Sequence, residues 1–489
     1  MTDPRQIARR YAAERRFKAY GAAALAVTAL FLAFLAVDIV GKGWPAFFEH
    51  HTTLTVSIDA DKVDAAAPLK GDYDAIVKKA FRARFPAVTS RGQAKKLTGL
   101  LSVGAADDLR RLVAADTSLI GTRIDAPILL SADADLYFKG AGSQASAKTG
   151  AGAIRITAAG EGFALSGDVA GIAPGEIVRL NKGALRVVSV AAGVIMAEAL
   201  LPPENLNEAS AGSYDILTFR TPEAERRLSD QESMWLESLK DSGLVERGFN
   251  WRFFTSGDSR EPELAGLLAA LVGSLYTVFI TLIISLPLGV AAATYLEEFA
   301  PRNRWTQLIE VNINNLAAVP SIIFGLLGLA VFLNFFELPR SAALVGGLVL
   351  ALLVLPTIII ASRAAFRAVP PSIREAALGV GASHQQAVFH HVLPLAIPGI
   401  LTGTILGVSR ALGETAPLLM IGMVAFIVDV PGGVTEAATA LPVQIFLWSD
   451  LPELGFQSKT AAAIMVLMVV LFCLNAVAIY LRKRFERRW

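Results

Sequence analysis

Six runs of apolar residues, each long enough to cross the roughly 30 Å hydrocarbon layer of a bilayer as a helix, constrain this chain more than anything else in it. They are Ala19 to Val37, Leu264 to Leu296, Val311 to Phe336, Ser341 to Ser362, Leu395 to Val428 and Thr460 to Leu481. Only the fifth contains any Asp, Glu, Lys or Arg. A composition in which 54% of 489 residues are apolar is rare in a soluble protein of this size, and a net charge of +2 gives no sign of a nucleic-acid partner. A multi-pass membrane protein in contact with lipid is the expected class. The first run has no small-residue cleavage site before Trp44-Pro45, so it reads as a retained span rather than a signal peptide. The single cysteine, Cys473, lies in the last run, can form no intrachain disulfide, and is expected to be a small buried hydrophobe.

Basic residues set the expected orientation. Arg5, Arg9, Arg10, Arg15, Arg16 and Lys18 precede the first run, and Arg482, Lys483, Arg484, Arg487 and Arg488 follow the last, which places both termini in the cytoplasm. Arg302 and Arg304 after the second run, and Arg363, Arg367 and Arg374 after the fourth, sort to the same side. The loop from Asp429 to Lys459 carries four acidic residues against one Lys and suits the outer side.

On that topology residues 42–262 form an extracytoplasmic insertion of α+β type. Residues 72–115 carry apolar side chains at helical spacing, as in Ile76, Ala80 and Phe81 and then Leu97, Leu100 and Leu101. Strands are expected at Ile128 to Tyr137, Ala153 to Thr157 and Glu176 to Val190, with a Gly-rich turn at Gly150 to Gly152. Within this region Gly142 to Thr149 nearly matches a phosphate-cradling nucleotide loop, but Ala147 stands where close backbone approach demands Gly, so it reads as a solvated turn.

Between the fourth and fifth runs, Pro370-Pro371 ends one helix and Ser372 to Glu375 has the spacing of a capping box. Gly379 and Gly381 should stop the new helix, and Ser383 to Gln386 repeats the capping pattern ahead of a second short helix ending at Pro394. Glu375-Ala376-Ala377, then Gly381, then Leu393-Pro394 resembles the EAA loop of binding-protein-dependent ABC import permeases, although His391 stands where that pattern usually has Ile. The resemblance implies that Glu375, Ala376, Ala377, Gly381, Leu393 and Pro394 dock a cytoplasmic ATPase.

Arg410 and Glu414 each cost about 2.5–3.5 kcal/mol inside a membrane. They lie four residues apart, on one helix face, with Gly413 and Pro417 beside them. An interrupted helix lining a polar path explains such a pair, and a plain structural ion pair is the alternative. The run Arg410-Ala-Leu-Gly-Glu-Thr-Ala-Pro-Leu-Leu419 is similar to the phosphate-transport permease A (PstA) family, as are Pro287-Leu-Gly, Tyr295-Leu-Glu-Glu, Val319-Pro-Ser-Ile-Ile-Phe-Gly-Leu and Leu441-Pro-Val-Gln-Ile. The likeness covers about residues 266–481.

That resemblance implies an all-α permease core of type I ABC-importer fold with six spans, interrupted by the α+β insertion. The domains read as a basic tail 1–18, span 19–41, insertion 42–262, permease core 263–482 with docking loop 370–394, and basic tail 483–489. It further implies residence in a bacterial inner membrane and a substrate path at Arg410, Glu414 and Thr415. The partners would be a second permease of PstC type, two ATPase chains of PstB type that bind the ATP, and an extracytoplasmic phosphate-binding protein of PstS type. This chain itself would hold no cofactor or metal and catalyse no reaction. Alternatives are a permease for sulfate or molybdate, or a membrane receptor with an outer sensing domain, although no inner loop is long enough for a signalling domain. A membrane-embedded enzyme fares worse, because His384, His390 and His391 form no His-Glu-x-x-His motif.

Overall fold

The computed structural model describes residues 4–141, 145–160, 162–169, 171–180, 182–191, 193–204 and 209–485. Arg487 and Arg488 of the C-terminal basic cluster lie outside them. The chain forms two compact units, one from residues 1–47 with 251–489 and the other from residues 48–250.

Helix α1 (Pro4–Gly43) runs without a break through residues expected to form a separate tail. At 1.5 Å per residue its 40 residues reach about 60 Å, roughly twice the hydrocarbon thickness. Most of its apolar side chains are exposed, as lipid-facing residues must be. Near its end Gly43 lies so close to the last helix, Leu454–Phe485, that a Cβ would come within 2.8 Å of the Ala462 amide nitrogen.

The inserted unit begins with β1 (Phe48–Ser57). Helices α2 (Tyr73–Arg84), α3 (Arg91–Thr98) and α4 (Ala105–Ala115) follow, then β2 (Arg123–Leu129) and α5 (Ala132–Phe138). Asp72 and Ser90 cap α2 and α3 by accepting from the amides of Ala75 and Gln93. The apolar positions read from the helical spacing, Ile76, Phe81, Leu97, Leu100 and Leu101, are all buried in one core. The strand expected over Ile128 to Tyr137 is shorter, because Ser131 in extended conformation opens α5, whose first turn carries Asp133 and Asp135 in keeping with the helix dipole. Asp135 is buried, which disfavours its charge, yet the His50 ring nitrogen at 2.8 Å and the Lys139 ammonium outweigh burial and hold its carboxyl below the usual range.

Strands β3 (Ala145–Ala159), β4 (Gly162–Gly167), β5 (Ile177–Leu180), β6 (Gly183–Ala191), β7 (Val194–Leu201) and β8 (Ala209–Phe219) then close a barrel in the order β3-β4-β7-β6-β5-β8. Its interior is filled by Ile154, Ile156, Leu165, Val178, Leu185, Val187 and Ile195. The insertion is therefore an α+β part, whose three-stranded sheet is antiparallel, joined to a six-stranded barrel that the sequence did not show. Gly150 is no turn: it lies within β3, where the Tyr214 ring would sit 2.3 Å from any Cβ. The nucleotide-loop lookalike is likewise strand from Ala145 to Thr149, paired with Phe219 to Asp215 of β8, so its backbone is committed to a ladder. Gly142 to Gln144 lie outside the described residues. Helix α6 (Asp230–Asp241), with a complete Ser229–Glu232 capping box, leads to β9 (Val245–Phe249), and β1 pairs between β2 and β9.

The apolar unit resumes with the short α7 (Arg252–Thr255) and then α8 (Leu268–Thr294), which ends in a π-helical turn at Tyr295–Phe299. Next come α9 (Arg304–Ala317) and α10 (Ser321–Gly328, prolonged by a π-turn at Leu329–Phe335), then α11 (Ala343–Arg367) and α12 (Pro371–Gly379). The α13 turn (His384–Gln386) and a π-turn at Ala387–Val392 run unbroken into α14 (Leu393–Gly413). The last elements are α15 (Ala416–Met420), α16 (Leu441–Ser449) and α17 (Leu454–Phe485).

Two expected spans are not single continuous helices. Val311 to Phe336 is not one helix, since α9 and the 321–335 helix meet at 100°. Pro320, without an amide proton and restricting Val319 before it, stands at that bend. Leu395 to Val428 is helical only to Gly413 before the chain breaks. Five helices are thus long and apolar enough to cross a membrane among the described residues, or up to six if the bent pair counts as one. Cys473 is exposed rather than buried.

Small residues let the helices meet, as they do where lipid supplies no hydrophobic drive. Gly289 of α8 abuts Ile358 of α11, and Gly347 of α11 abuts Ile280. On α14 the stripe Gly399, Gly403 and Gly407 lies against Ala365, Ala361 and Val354 of α11. A Cβ on Gly403 would fall 2.1 Å from that of Ala361. Gly403→Val is therefore expected to lower stability by about 3 kcal/mol or more, beyond ordinary overpacking, read as a drop in the unfolding temperature of the detergent-solubilised chain. An unchanged midpoint would contradict this packing.

Candidate functional site

Arg410 sits in the last turn of α14, where its charge complements the carbonyl end of the helix dipole. Glu414 follows as the C-terminal cap, with ψ of 117° turning the chain out of the helix. The Arg410 Nε lies 3.3 Å from Glu414 Oε1. Both terminal amino groups of that guanidinium are without a protein partner among the described residues. The side chain is 47% exposed and Glu414 19%, which does not suit a structural staple, since such exposed pairs contribute about 0–1 kcal/mol. Thr415 is half-buried, caps the start of α15 without using its hydroxyl, and offers its carbonyl to the Leu419 amide. The pair stands at the end of an unbroken helix of 30 residues, His384–Gly413, about 45 Å from its start.

Neighbouring elements fix this break in place. Gly325 of α10 approaches α15 so closely that a Cβ would meet Pro417 Cα and Met420 Cβ at 2.8 Å. Two of the sequence pieces that resemble one family, around Val319-Pro320 and around Glu414 to Leu419, are thereby in contact. One residue before Arg410, the Ser409 hydroxyl donates to Asn475 Oδ1 of α17 at 2.7 Å. An anion-sized group could approach the free fork of the guanidinium and find a carboxylate beside it.

The segment 370–394, expected to dock an ATPase, departs from expectation in detail. Helix α12 starts at Pro371, with Pro370 as its cap and no side-chain capping bond, so Ser372 and Glu375 form no capping box. Proline at the first helical position, where an amide proton would be unsatisfied anyway, already provides the start. The helix ends in a Schellman motif: Gly381 at φ +89° donates to the Leu378 carbonyl and Ala382 to that of Ala377. The Ser383–Gln386 capping box is complete. No second short helix ends at Pro394. The ladder is already shifted to a π pattern over Ala387–Val392, and Pro394 follows where that shift closes, so the helix continues as α14. Of the expected docking residues, Glu375 and Ala376 are exposed, Ala377 is buried beneath them, Gly381 forms the elbow, and Leu393 and Pro394 belong half-buried to the long helix. Leu378 and Val380 add exposed apolar surface, Val380 being 86% exposed.

Acidic and basic residues at the ends of α8, α11 and α12 form a network of ion pairs. Glu298, 4% exposed at its side chain, accepts from Arg374 Nε at 3.0 Å and from Nη2 at 2.5 Å. The same guanidinium donates to the carbonyls of Phe366 and Val369, both at 2.9 Å. Glu297 takes Arg363 at 3.3 Å and Arg367 at 2.7 Å, and Arg363 also reaches Glu310 at 2.6 Å. His384 Nε2 stands 2.8 Å from the Glu298 carbonyl, which can only accept, so this nitrogen carries the proton. The signal available in sequence was an acidic pair closing the second apolar run and basic residues following the fourth.

Comparison with known proteins supports a permease identity. Residues 285–489 match the model of the "Binding-protein-dependent transport system inner membrane component" family, and residues 4–148 match a "Domain of unknown function (DUF3333)". The "Probable ABC transporter permease protein YqgI" of Bacillus subtilis is 36% identical over 35% of this chain and 58% of its own length. The chain thus spans just over half of that relative. The "Phosphate transport system permease protein PstC" of Pasteurella multocida is 30% identical over 44% of this chain and 73% of its own length. The "Phosphate transport system permease protein PstA" of Haemophilus influenzae is 32% identical over 45% of this chain and 77% of its own length. A permease core shared with that protein, extended by a domain inserted after the first span, makes this chain an ABC-importer permease subunit that belongs to the PstA family.

Proposed function

We propose that this chain forms part of the membrane path of an ATP-driven importer of inorganic phosphate. The observation that carries the reading is the Arg410 guanidinium, unpaired at both terminal amino groups among the described residues and beside Glu414 where an apolar helix breaks off. Phosphate fits this combination: its oxygens accept from the guanidinium, and its remaining proton can be donated to the carboxylate. The names of the similar proteins support the same anion. Arg410, Glu414 and Thr415 line the path, which is completed by a second, PstC-like permease. Two PstB-like ATPase chains bind the ATP and grip Glu375, Ala376 and the exposed Leu378 and Val380. A PstS-like binding protein delivers phosphate on the opposite side of a bacterial inner membrane, with both termini cytoplasmic and the insertion outside.

Purified together with its native partner chains and placed in proteoliposomes, the complex should take up labelled phosphate only when ATP is supplied on the docking-loop side. Uptake of sulfate or molybdate in preference to phosphate would replace this reading with that of another oxyanion importer. ATP-independent uptake would remove it altogether. Ala376→Arg, a charge placed on the exposed face of α12, is expected to release the ATPase chains during co-purification while the unfolding temperature stays unchanged. Retention of those chains would relocate the docking surface.

A further inference from the structure

A push on α12 must travel some 45 Å to reach Arg410 and Glu414, and the covalent route is poorly built to carry it. Between α12 and the long helix lie Val380 to Ser383, turned by Gly381 at φ +89°, where a Cβ would meet nothing within 4 Å. That elbow interrupts the helix, so no continuous helical rod joins α12 to α14. A non-covalent route bypasses it. Arg374, on the inner part of α12, spreads its guanidinium over Glu298 and over the Phe366 and Val369 carbonyls at the end of α11, so three elements are held by one planar group.

Glu298 is the junction of these contacts. Its carboxylate holds α12 through Arg374, and its backbone carbonyl accepts from His384 at the start of the long helix whose far end bears Arg410. The π-turn at Tyr295–Phe299 makes this possible, because two successive glutamates take different partners, Glu297 on α11 and Glu298 on α12. Behind the junction, α8 and α11 are locked by the Gly289–Ile358 and Gly347–Ile280 contacts and by the buried bond from the Thr281 hydroxyl to the Gly347 carbonyl. A displacement of α12 therefore moves α8, α11 and the root of the long helix together.

The geometry points to Glu298 and Arg374 as the positioning pair that transmits movement of the docking helix to the substrate path, a role distinct from docking itself. This inference rests on the proposed importer function. Arg374→Gln strands a buried carboxylate, so the informative variants are the charge-free double variant Glu298→Gln/Arg374→Gln and the exchange Glu298→Arg/Arg374→Glu. In the reconstituted complex, the double Gln variant is expected to keep its ATPase chains and to hydrolyse ATP within about twofold of the parent. Phosphate moved per ATP hydrolysed should fall at least tenfold, and the exchange variant should recover part of that ratio.

A merely structural pair would lower hydrolysis and uptake in parallel and leave the ratio unchanged, which would overturn the inference. Loss of the ATPase chains from the double Gln variant would equally overturn it, by making the pair part of the docking surface. A parent complex that shows no ATP-dependent phosphate uptake removes the importer reading and this inference with it, whereas an active parent with a fully coupled double variant removes the inference alone.

Discussion

Replacing Arg410 by Gln is expected to cut phosphate uptake by the reconstituted complex at least roughly 100-fold while leaving the partner chains bound. Two charge-assisted hydrogen bonds from the free fork are worth about 1.5–3 kcal/mol each, so their loss costs about 3–6 kcal/mol, or roughly 10²–10⁴ in affinity. The substitution should cost the fold little. Arg410 is 47% exposed, and among the described residues its guanidinium pairs with Glu414 alone, at 3.3 Å. Uptake as a function of phosphate concentration, with assembly followed by co-purification, separates the two effects. Normal uptake by Arg410→Gln would show that the anion passes elsewhere, and a variant that loses its partners would make Arg410 a structural residue.

The apolar helices were legible because a bilayer demands long apolar runs, and α8, α11 and α17 lie where those runs predict them. Proline shows where that reading stops. Pro287 and Pro356 lie inside continuous α8 and α11, whereas Pro320 stands at a 100° bend. A proline alone does not say whether its helix will bend; at Pro320 the helix beyond the bend is packed against Pro417 through Gly325. The barrel escaped for a related reason. Closure of β3 onto β8 joins Ala145 to Phe219, 74 residues apart in sequence, and no local pattern records such a pairing.

The site divides in the same way. Arg410 and Glu414 announced themselves because charge inside an apolar run is expensive. The Glu298–Arg374 contact was hidden because each residue, taken alone, is an ordinary charge at a helix end. Only the fold brings the close of α8 beside α12, and only there does a glutamate that is 4% exposed acquire a partner. At α12 the sequence suggested a Ser372 cap, and the preceding proline at the first helical position, where an amide proton would be unsatisfied anyway, provided the helix start instead.

Glu414→Gln is expected to change which anion passes rather than whether one does. At neutral pH phosphate keeps at least one proton and sulfate keeps none, so only phosphate can donate to the carboxylate beside Arg410. Sulfate presents lone pairs to lone pairs and is repelled. A site that depends on one hydrogen bond rejects an analogue unable to make it by roughly 10⁴–10⁵, so the parent complex should prefer phosphate by a factor of that order. An amide in place of the carboxylate can donate as well as accept. Sulfate then gains a partner, phosphate keeps one, and the preference should shrink to within roughly tenfold, since neither anion leaves a buried group unpaired. Removal of the carboxylate also frees the guanidinium Nε from its 3.3 Å partner, so phosphate uptake itself should persist. Competition of unlabelled sulfate against labelled phosphate, measured for parent and variant over pH 6 to 8, decides the matter. Equal discrimination by both would assign the choice of anion to some group other than Glu414, and a loss of all uptake would make this carboxylate a structural partner of Arg410.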